Sequence, residues 1–357
     1  GYDGSMERTL PIRGRGASHN PPNRFEPLHV EPDPSDPDDG PLPRTRFFRD
    51  HSRDVVSTNQ SPDVPLDLGI NPYRGCEHGC VYCFARPYHE FLGFSAGLDF
   101  ETKIVVKEDA PARLREKLSS AAWMPRPLML SGATDPYQPV ERRLEVTRGV
   151  LQVLAEARNP VAVITKNHLV SRDVDLLAEL AEHGAVSVTL SVTTLRNELQ
   201  RVMEPRTSIP ARRLKAMETL ARAGVPVGVM VAPVIPGLTD HELPAILEAS
   251  AAAGARAAGF ILLRLPLGVA PLFARWLGQH FPDRQDKVLN RLRALRGGAL
   301  YDGTFGHRKR GRGPYAQQVR SMFDLSLRRS GLQRRGPELS TAAFRRPRSG
   351  EQMELGI

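Results

Sequence analysis

Between residues 67 and 263, short runs rich in β-branched side chains alternate with longer amphipathic stretches, and this alternation limits the fold more than any other feature of the 357-residue chain. The runs predict strands at 67–71, 128–131, 161–165, 186–192, 227–231 and 258–263, with a further short strand at 102–106. The intervening stretches predict helices at 141–157, 172–183, 211–223 and 240–253, several closed by Gly or by Pro just beyond. Units of this length join parallel strands through right-handed crossovers, which a two-residue turn cannot do. Six of them fit the α/β class as a partial (β/α)6 barrel of TIM type; an open, doubly wound sheet carries the same local pattern. In both, the loops that follow the strands converge at one end, and chemistry belongs there.

The flanks read differently. Residues 1–50 are proline-rich without an apolar period, most plainly in Glu31-Pro-Asp-Pro-Ser-Asp-Pro-Asp-Asp, and predict a disordered or surface-draped arm. Gly1 to Ser5, ahead of Met6, read as a non-native remnant. With the barrel over 51–268, predicted helices at 271–279, 285–295 and 314–329 and the Gly- and Arg-rich stretch 296–313 make a small, basic, helical extension over 269–332, followed by a flexible polar tail at 333–357. No apolar run is long enough to span a membrane and no leader pattern opens the chain, so a cytoplasmic protein without membrane contact is expected. The 49 Lys and Arg against 40 Asp and Glu leave a formal charge of +9, which suits a polyanionic partner, nucleic acid before others.

All three cysteines fall in one segment, Asn71-Pro-Tyr-Arg-Gly-Cys76-Glu-His-Gly-Cys80-Val-Tyr-Cys83, directly after the first predicted strand. An odd number packed this closely argues against a disulfide framework. The C-x3-C-x2-C spacing lets three thiolates hold three corners of a cubane 4Fe-4S cluster and leaves one iron without a protein ligand. Two plainer readings compete: a structural zinc site with His78 as fourth ligand, and a set of buried thiols. Zinc sites usually pair two separated knuckles, and the chain has no second one.

This segment resembles the motif of radical S-adenosylmethionine (SAM) enzymes. The run NPYRGCEHGCVYCFAR resembles the branch related to spore photoproduct lyase, the DNA repair photolyase-like proteins. The likeness extends from about Asn59 to Leu332 through Ser131-Gly-Ala-Thr-Asp-Pro-Tyr-Gln-Pro-Val-Glu141, Thr165-Lys-Asn167, Ser191-Val-Thr-Thr194, Glu204-Pro-Arg206 and Ala232-Pro-Val-Ile-Pro-Gly237. It implies a 4Fe-4S cluster on Cys76, Cys80 and Cys83, SAM chelated to the open iron and cleaved to a 5′-deoxyadenosyl radical, and an external one-electron reductant such as a flavodoxin or ferredoxin. It also implies that Ser131 and Gly132 meet the methionine amino group, that Tyr82 lies near the adenine, and that Lys166 neutralises the SAM carboxylate. Ser191 and Thr193 would reach the ribose hydroxyls or the carboxylate, Glu204 and Arg206 would share that work, and Val234 to Pro236 would pack on the adenine. Taken singly, each has a plainer reading: a structural hydroxyl, a solvated lysine, a surface pair of Glu204 with Arg206.

The loop Thr134 to Glu141 is polar for one bordering a radical site, which makes Asp135, Tyr137, Gln138 and Glu141 candidates for substrate contact or proton transfer. Its two prolines and a capping acid could equally just start the helix at Glu141. Spore photoproduct lyases repair a thymine dimer with an additional cysteine as hydrogen donor. Here the cluster takes all three cysteines, so either a tyrosine such as Tyr137 serves or the reaction differs. The segment His307-Arg-Lys-Arg-Gly-Arg-Gly-Pro-Tyr315 offers Arg308, Lys309, Arg310 and Arg312 to a phosphate backbone and Tyr315 to a base, or is a solvated loop. Together these features predict a lyase-like radical SAM enzyme acting on nucleic acid, DNA favoured, in repair or base modification. The alternatives are a radical SAM enzyme for a protein, peptide or metabolite, and a non-enzymatic iron-sulfur or zinc protein that binds nucleic acid.

Overall fold

The structure, a computed structural model, describes residues 10–26 and 44–348. It contains β1 (Arg46–Arg49), β2 (Val56–Thr58), β3 (Leu68–Ile70), β4 (Tyr73–Arg74), β5 (Lys103–Val106), β6 (Leu128–Leu130), β7 (Val161–Thr165), β8 (Val186–Ser191), β9 (Val227–Val234) and β10 (Ala257–Leu262). The main sheet runs β10-β9-β8-β7-β6-β3-β2, with β2 antiparallel to β3 and all other neighbours parallel. Its six parallel strands therefore lie side by side in chain order. A doubly wound sheet must reverse its order at a switch point, so this sequential order decides for the partial (β/α)6 barrel.

Alternate residues of the strands are sealed: Val161 and Val163 of β7, Val188 and Leu190 of β8, and Val227, Val229 and Val231 of β9 are at most 3% exposed. They share one core with the inner faces of the crossover helices, including Leu151, Leu154, Leu177, Leu180, Leu220 and Ile246. The helix predicted at 141–157 is broken in two, Glu141–Leu144 and Val146–Ala157, at Glu145, whose φ of 51° is left-handed. The Glu141 carboxylate explains the break. It accepts the amides of Thr147 (3.0 Å) and Arg148 (3.3 Å), capping the second helix instead of continuing the first.

Both flanks depart from expectation. Residues 1–9 and 27–43 of the predicted arm lie outside the described residues, but 10–26 are a packed strap. The Gly16 and Ala17 amides donate to Glu101 at 3.0 and 2.8 Å, and a Cβ on Gly16 would fall 1.8 Å from the Gly79 carbonyl oxygen. Only glycine permits that backbone-to-backbone approach. Within the same predicted arm, β1 pairs with β5 in a small second sheet ordered β1-β5-β4.

The 269–332 segment is no appendage either. Helices Val269–His280 and Pro282–Leu295 place Phe273, Trp276 and Leu292 in one apolar cluster with Cys80, Val81 and Tyr82. Helix Gly313–Arg329 inserts Val319, Phe323 and Leu327 into the barrel core. Beyond it, the predicted flexible tail is tied down as far as it is described: Gln333 bonds Arg256 and Ala258 (2.9 and 2.8 Å), Ser340 bonds Gly184 and Arg345 bonds Ala157 (2.9 Å each). Residues 349–357 lie outside the described residues. No described helix is long and apolar enough to cross a membrane.

Ending the chain after Leu332 removes these backbone tethers. At roughly 1 kcal/mol for each hydrogen bond and a few degrees per kcal/mol in a chain of this size, the Tm should drop by roughly 5–10 °C. A melting curve followed by circular dichroism checks this, and an unchanged Tm would show that the tail carries no stability.

Candidate active site

The cysteine loop leaves the carboxyl end of β3 and is framed from below by a charge. Arg86, fully buried, donates to the carbonyls of Cys80 (3.0 and 2.9 Å), Gly79 (3.3 Å), Ala96 (3.1 Å) and Gly97 (2.8 Å), and to Glu101 Oε1 (2.6 Å). Glu101 is itself fully buried, and its remaining capacity is filled by the strap amides. Four backbone carbonyls and a carboxylate thus use up the planar fork of one guanidinium.

Between Cys76 and Cys80, the side chains of Glu77 and His78 fold back into the protein. Glu77 accepts the Val140 amide (2.7 Å) and pairs with Arg206 (3.0 Å), while its own amide donates to Gln138 Oε1 (2.9 Å). His78 sets Nδ1 against Asp135 (3.3 Å) and Nε2 against the Asn167 amide nitrogen (3.1 Å). Nδ1 donates and Nε2 accepts, so the imidazole has no lone pair left over. Asp135 continues outward, accepting from Thr165 Oγ1 and the Lys166 amide at 2.7 Å each.

On the other side of the loop stands Glu204, fully buried, which accepts from the Tyr82 hydroxyl and from Arg213, and also from Thr193 (2.7 Å) and Lys166 (3.0 Å). Burial alone would raise its pKa, but Arg213 and Lys166 hold it well below the usual carboxylate range. Tyr82, Lys166, Thr193 and Glu204, from four separate stretches of sequence, therefore meet in one network next to Cys80.

The family profile for the Radical SAM superfamily matches residues 70–249. The chain belongs to that superfamily. An uncharacterised protein of Mycobacterium tuberculosis is 40% identical over 222 residues, 62% of this chain, and the chain spans 65% of that relative's length. One of Methanocaldococcus jannaschii is 28% identical over 173 residues, 48% of this chain and 62% of that protein. Among solved structures, spore photoproduct lyase with dinucleoside spore photoproduct superposes with a TM-score of 0.58 at 16% identity, covering 80% of this chain and 81% of that one. A variant of the same lyase with AdoMet and the dinucleoside bound gives 0.57 at 16% identity, with 80% of each chain covered. The likeness is one of fold.

Radical SAM chemistry implies an iron-sulfur cluster and SAM, and the donor set fits the cluster. Burial pushes the Cys76, Cys80 and Cys83 thiols upward in pKa, and Cys83 lies near enough to raise Cys76 and Cys80 further. Thiolates in such a place require a bound cation's charge. Among the described residues, no three His, Cys, Asp or Glu side chains are grouped to hold a single metal ion, and His78 is committed elsewhere. The commitment of His78 to Asp135 and Asn167 takes away the fourth ligand of the zinc alternative.

Several residues expected to meet SAM or substrate have other work. Asp135 orients His78; Gln138 clamps the cysteine loop at Glu77 and Gly75. Glu141 is fully buried, taking the Tyr73 hydroxyl and Arg172 (2.8 Å) in addition to the amides it caps. Tyr137 is fully buried in the barrel core. Lys166 spends its three hydrogens on Glu204, Thr193 and the Ala232 carbonyl, so it is no free countercharge for a carboxylate. Arg206 pairs with Glu77 and not with Glu204. Val234 lies in the barrel core, and Pro236 is buried. Ser191, ending β8, gives its carbonyl to Arg213 (2.8 Å).

The turn after β6 remains open: Ser131 adopts a left-handed φ of 96°, Gly132 is exposed, and the Gly132 and Ala133 amides point at Asn71 Oδ1 (3.0 and 2.9 Å). Ala133 packs with Cys76, Cys83 and Phe84, which brings that turn to the cysteine loop. Asn71, Arg86 and Glu101 went unread in the sequence, although Asn71 and Arg86 bracket the cysteine run. Of the basic segment, Arg308 pairs with Asp63 (2.5 Å), Lys309 with the Asp63 carbonyl (2.6 Å) and Arg312 with Asp302 (3.2 Å). Tyr315 bonds Asp240 through its hydroxyl and carries Arg291 over its ring, which removes it as a stacking platform for a base. Arg310 is exposed.

Glu204→Gln leaves Arg213 and Lys166 buried against a neutral amide and should cost about 3 kcal/mol or more. Because the folded pKa of Glu204 lies below its ordinary value of 4.5, its contribution is present above that pH and fades as pH falls through it. Thermal unfolding followed from neutral pH down through the carboxylate range should therefore show wild type losing stability towards acid and the variant, already weaker, losing less. Parallel curves would deny Glu204 this role.

Proposed function

We propose that the protein is a radical SAM enzyme in which Cys76, Cys80 and Cys83 hold a 4Fe-4S cluster, and that it acts on nucleic acid, DNA before RNA, in repair or base modification. The cofactor reading is carried by the framed loop: three thiols on one turn, with the histidine between them withdrawn by Asp135 and Asn167. Bound there, the cluster and SAM would supply a 5′-deoxyadenosyl radical that abstracts hydrogen, fed by an external one-electron reductant. The chain's own residues fix the thiols, through Arg86 and Glu101 beneath and Glu77 and His78 within the loop, and hold the Glu204 network dry beside Cys80. The Ser131–Gly132 turn, exposed at Gly132, would border SAM.

Support for nucleic acid comes from a fold shared with spore photoproduct lyase, whose structure holds a dinucleoside, and from the formal charge of +9. The Leu262 amide also donates to the Lys309 carbonyl (2.9 Å), which brings the basic segment to the end of β10. The three cysteines of this chain are the cluster ligands and Tyr137 is sealed, so these 357 residues offer no further thiol to return hydrogen to a product radical. The reaction we propose is therefore not the dimer repair of spore photoproduct lyases in its thiol-dependent form.

Anaerobically reconstituted protein given dithionite, SAM and deuterated oligonucleotide should release 5′-deoxyadenosine that carries deuterium, and Cys76→Ala, Cys80→Ala or Cys83→Ala should abolish its formation. Mass spectrometry of the nucleoside reads both results. Nucleoside formed without label from the oligonucleotide, but labelled from a deuterated peptide pool, would move the substrate to protein; none formed at all would end the radical reading.

A further inference from the structure

Arg264 has no part in the site described so far. It stands in Leu263-Arg-Leu265 just past β10, between two leucines that are 1% and 0% exposed and belong to the apolar cluster behind the cysteine loop. The backbone there is held: the Leu263 amide donates to Val234 (3.0 Å) and its carbonyl accepts from Arg296 (2.8 Å). With its neighbours' side chains pinned inward, that of Arg264 is turned to the mouth of the barrel. Its guanidinium rests 4.0 Å from the ring centroid of Phe84, the residue after Cys83.

Among the described residues, Arg264 has neither an ion pair nor a hydrogen bond to hold it where it stacks on Phe84. Arg296, Arg308, Arg312 and Lys309, on the elements nearby, each have a bonded partner. Burial and the Arg308 charge push the Arg264 pKa down, against a pull upward from Tyr301, Tyr88 and Cys83, and burial with Arg264 brings Lys309 to about 8. Asp63 is the carboxylate set against this group, and it is spent on Arg308 and the Gly306 amide (2.8 Å). A half-buried cation left in a positive neighbourhood is costly unless an anion completes it.

Aromatic faces accompany the charges. Phe84 lies under Arg264, Phe305 lies 4.6 Å beneath Arg308, and Tyr88 is 57% exposed. An arginine stacked on a ring keeps its N–H edge free for a phosphate, while exposed rings beside it accept bases.

We propose that Arg264 is the anchor for a phosphate group of the nucleic-acid substrate, seated at the barrel mouth one residue from the cysteine loop. This deepens the nucleic-acid reading above and rests on it. A phosphate held by Arg264 sets the strand's register so that the neighbouring nucleoside lies over the open side of the loop, with the exposed Tyr88 as its stacking surface.

The test uses full-length, anaerobically reconstituted protein and a short end-labelled single-stranded oligodeoxynucleotide, with binding read by fluorescence anisotropy over a series of salt concentrations. Arg264→Gln, which keeps a polar, hydrogen-bonding side chain but not its charge, should weaken binding roughly tenfold and lower the slope of log K against log salt by about 0.7. Arg264→Lys should recover part of both. Iron content and SAM affinity, measured on the same preparations, should stay at the wild-type level. Equal oligonucleotide binding by wild type and Arg264→Gln overturns the anchor and leaves the nucleic-acid reading standing. A matching loss of SAM affinity overturns it too, by assigning Arg264 to the SAM carboxylate. Wild type that fails to bind DNA or the corresponding RNA strand overturns the nucleic-acid reading itself, and the anchor with it.

Discussion

The buried pair of Arg86 and Glu101 is the constraint on which the active site rests. Two opposite charges, both without solvent contact, are tolerable only when nearly every donor and acceptor they own is used, because desolvation otherwise exceeds their attraction. Here that demand is what shapes the loop. Arg86 gathers the carbonyls of Gly79 and Cys80 on one side and of Ala96 and Gly97 on the other, so the turn holding the cysteines cannot relax without stranding a cation. Glu101 in turn draws in the strap, and the strap reaches it because Gly16 has no Cβ to strike Gly79. A segment distant in sequence thereby becomes one wall of the cysteine loop.

A second buried charge centre, Glu204 with Arg213 and Lys166, bounds the loop from the opposite side, and the two centres differ in kind. The first binds mostly backbone and so fixes the path of the chain. The second binds side chains from the ends of β7 and β8 and so fixes where Tyr82 and Thr193 stand. Between them lie three thiols that burial keeps protonated until a cation arrives. Rigid surroundings and a soft, chargeable centre are what a resident cluster needs.

How much of this could be read in the sequence depended on the range of the interaction. The strands showed because alternation is a local signal: Val161, Val163 and Thr165 reveal their face within five residues. The cysteines showed because their spacing is itself the chemistry. The roles of Asp135, Gln138 and Glu141 were not legible, since a polar loop next to a site reads the same whether its side chains point to a substrate or back to the backbone; here they brace His78, the cysteine loop and a helix start. Arg86 and Glu101 left no local trace, as the meaning of each lies in the other and in Gly16 and Ala17, some 85 residues from Glu101 along the chain. The strap and the tail were hidden likewise: segments that bond through backbone amides to a finished surface need no apolar period of their own.

The central claim is that the framed loop gives a cluster three protein ligands and no fourth. The most direct measurement is low-temperature electron paramagnetic resonance of the anaerobic, dithionite-reduced protein, recorded before and after SAM is added. The account predicts an iron-sulfur signal whose g values shift when SAM occupies the iron that no residue holds. A signal indifferent to SAM, or protein with stoichiometric zinc and no inorganic sulfide, would contradict it.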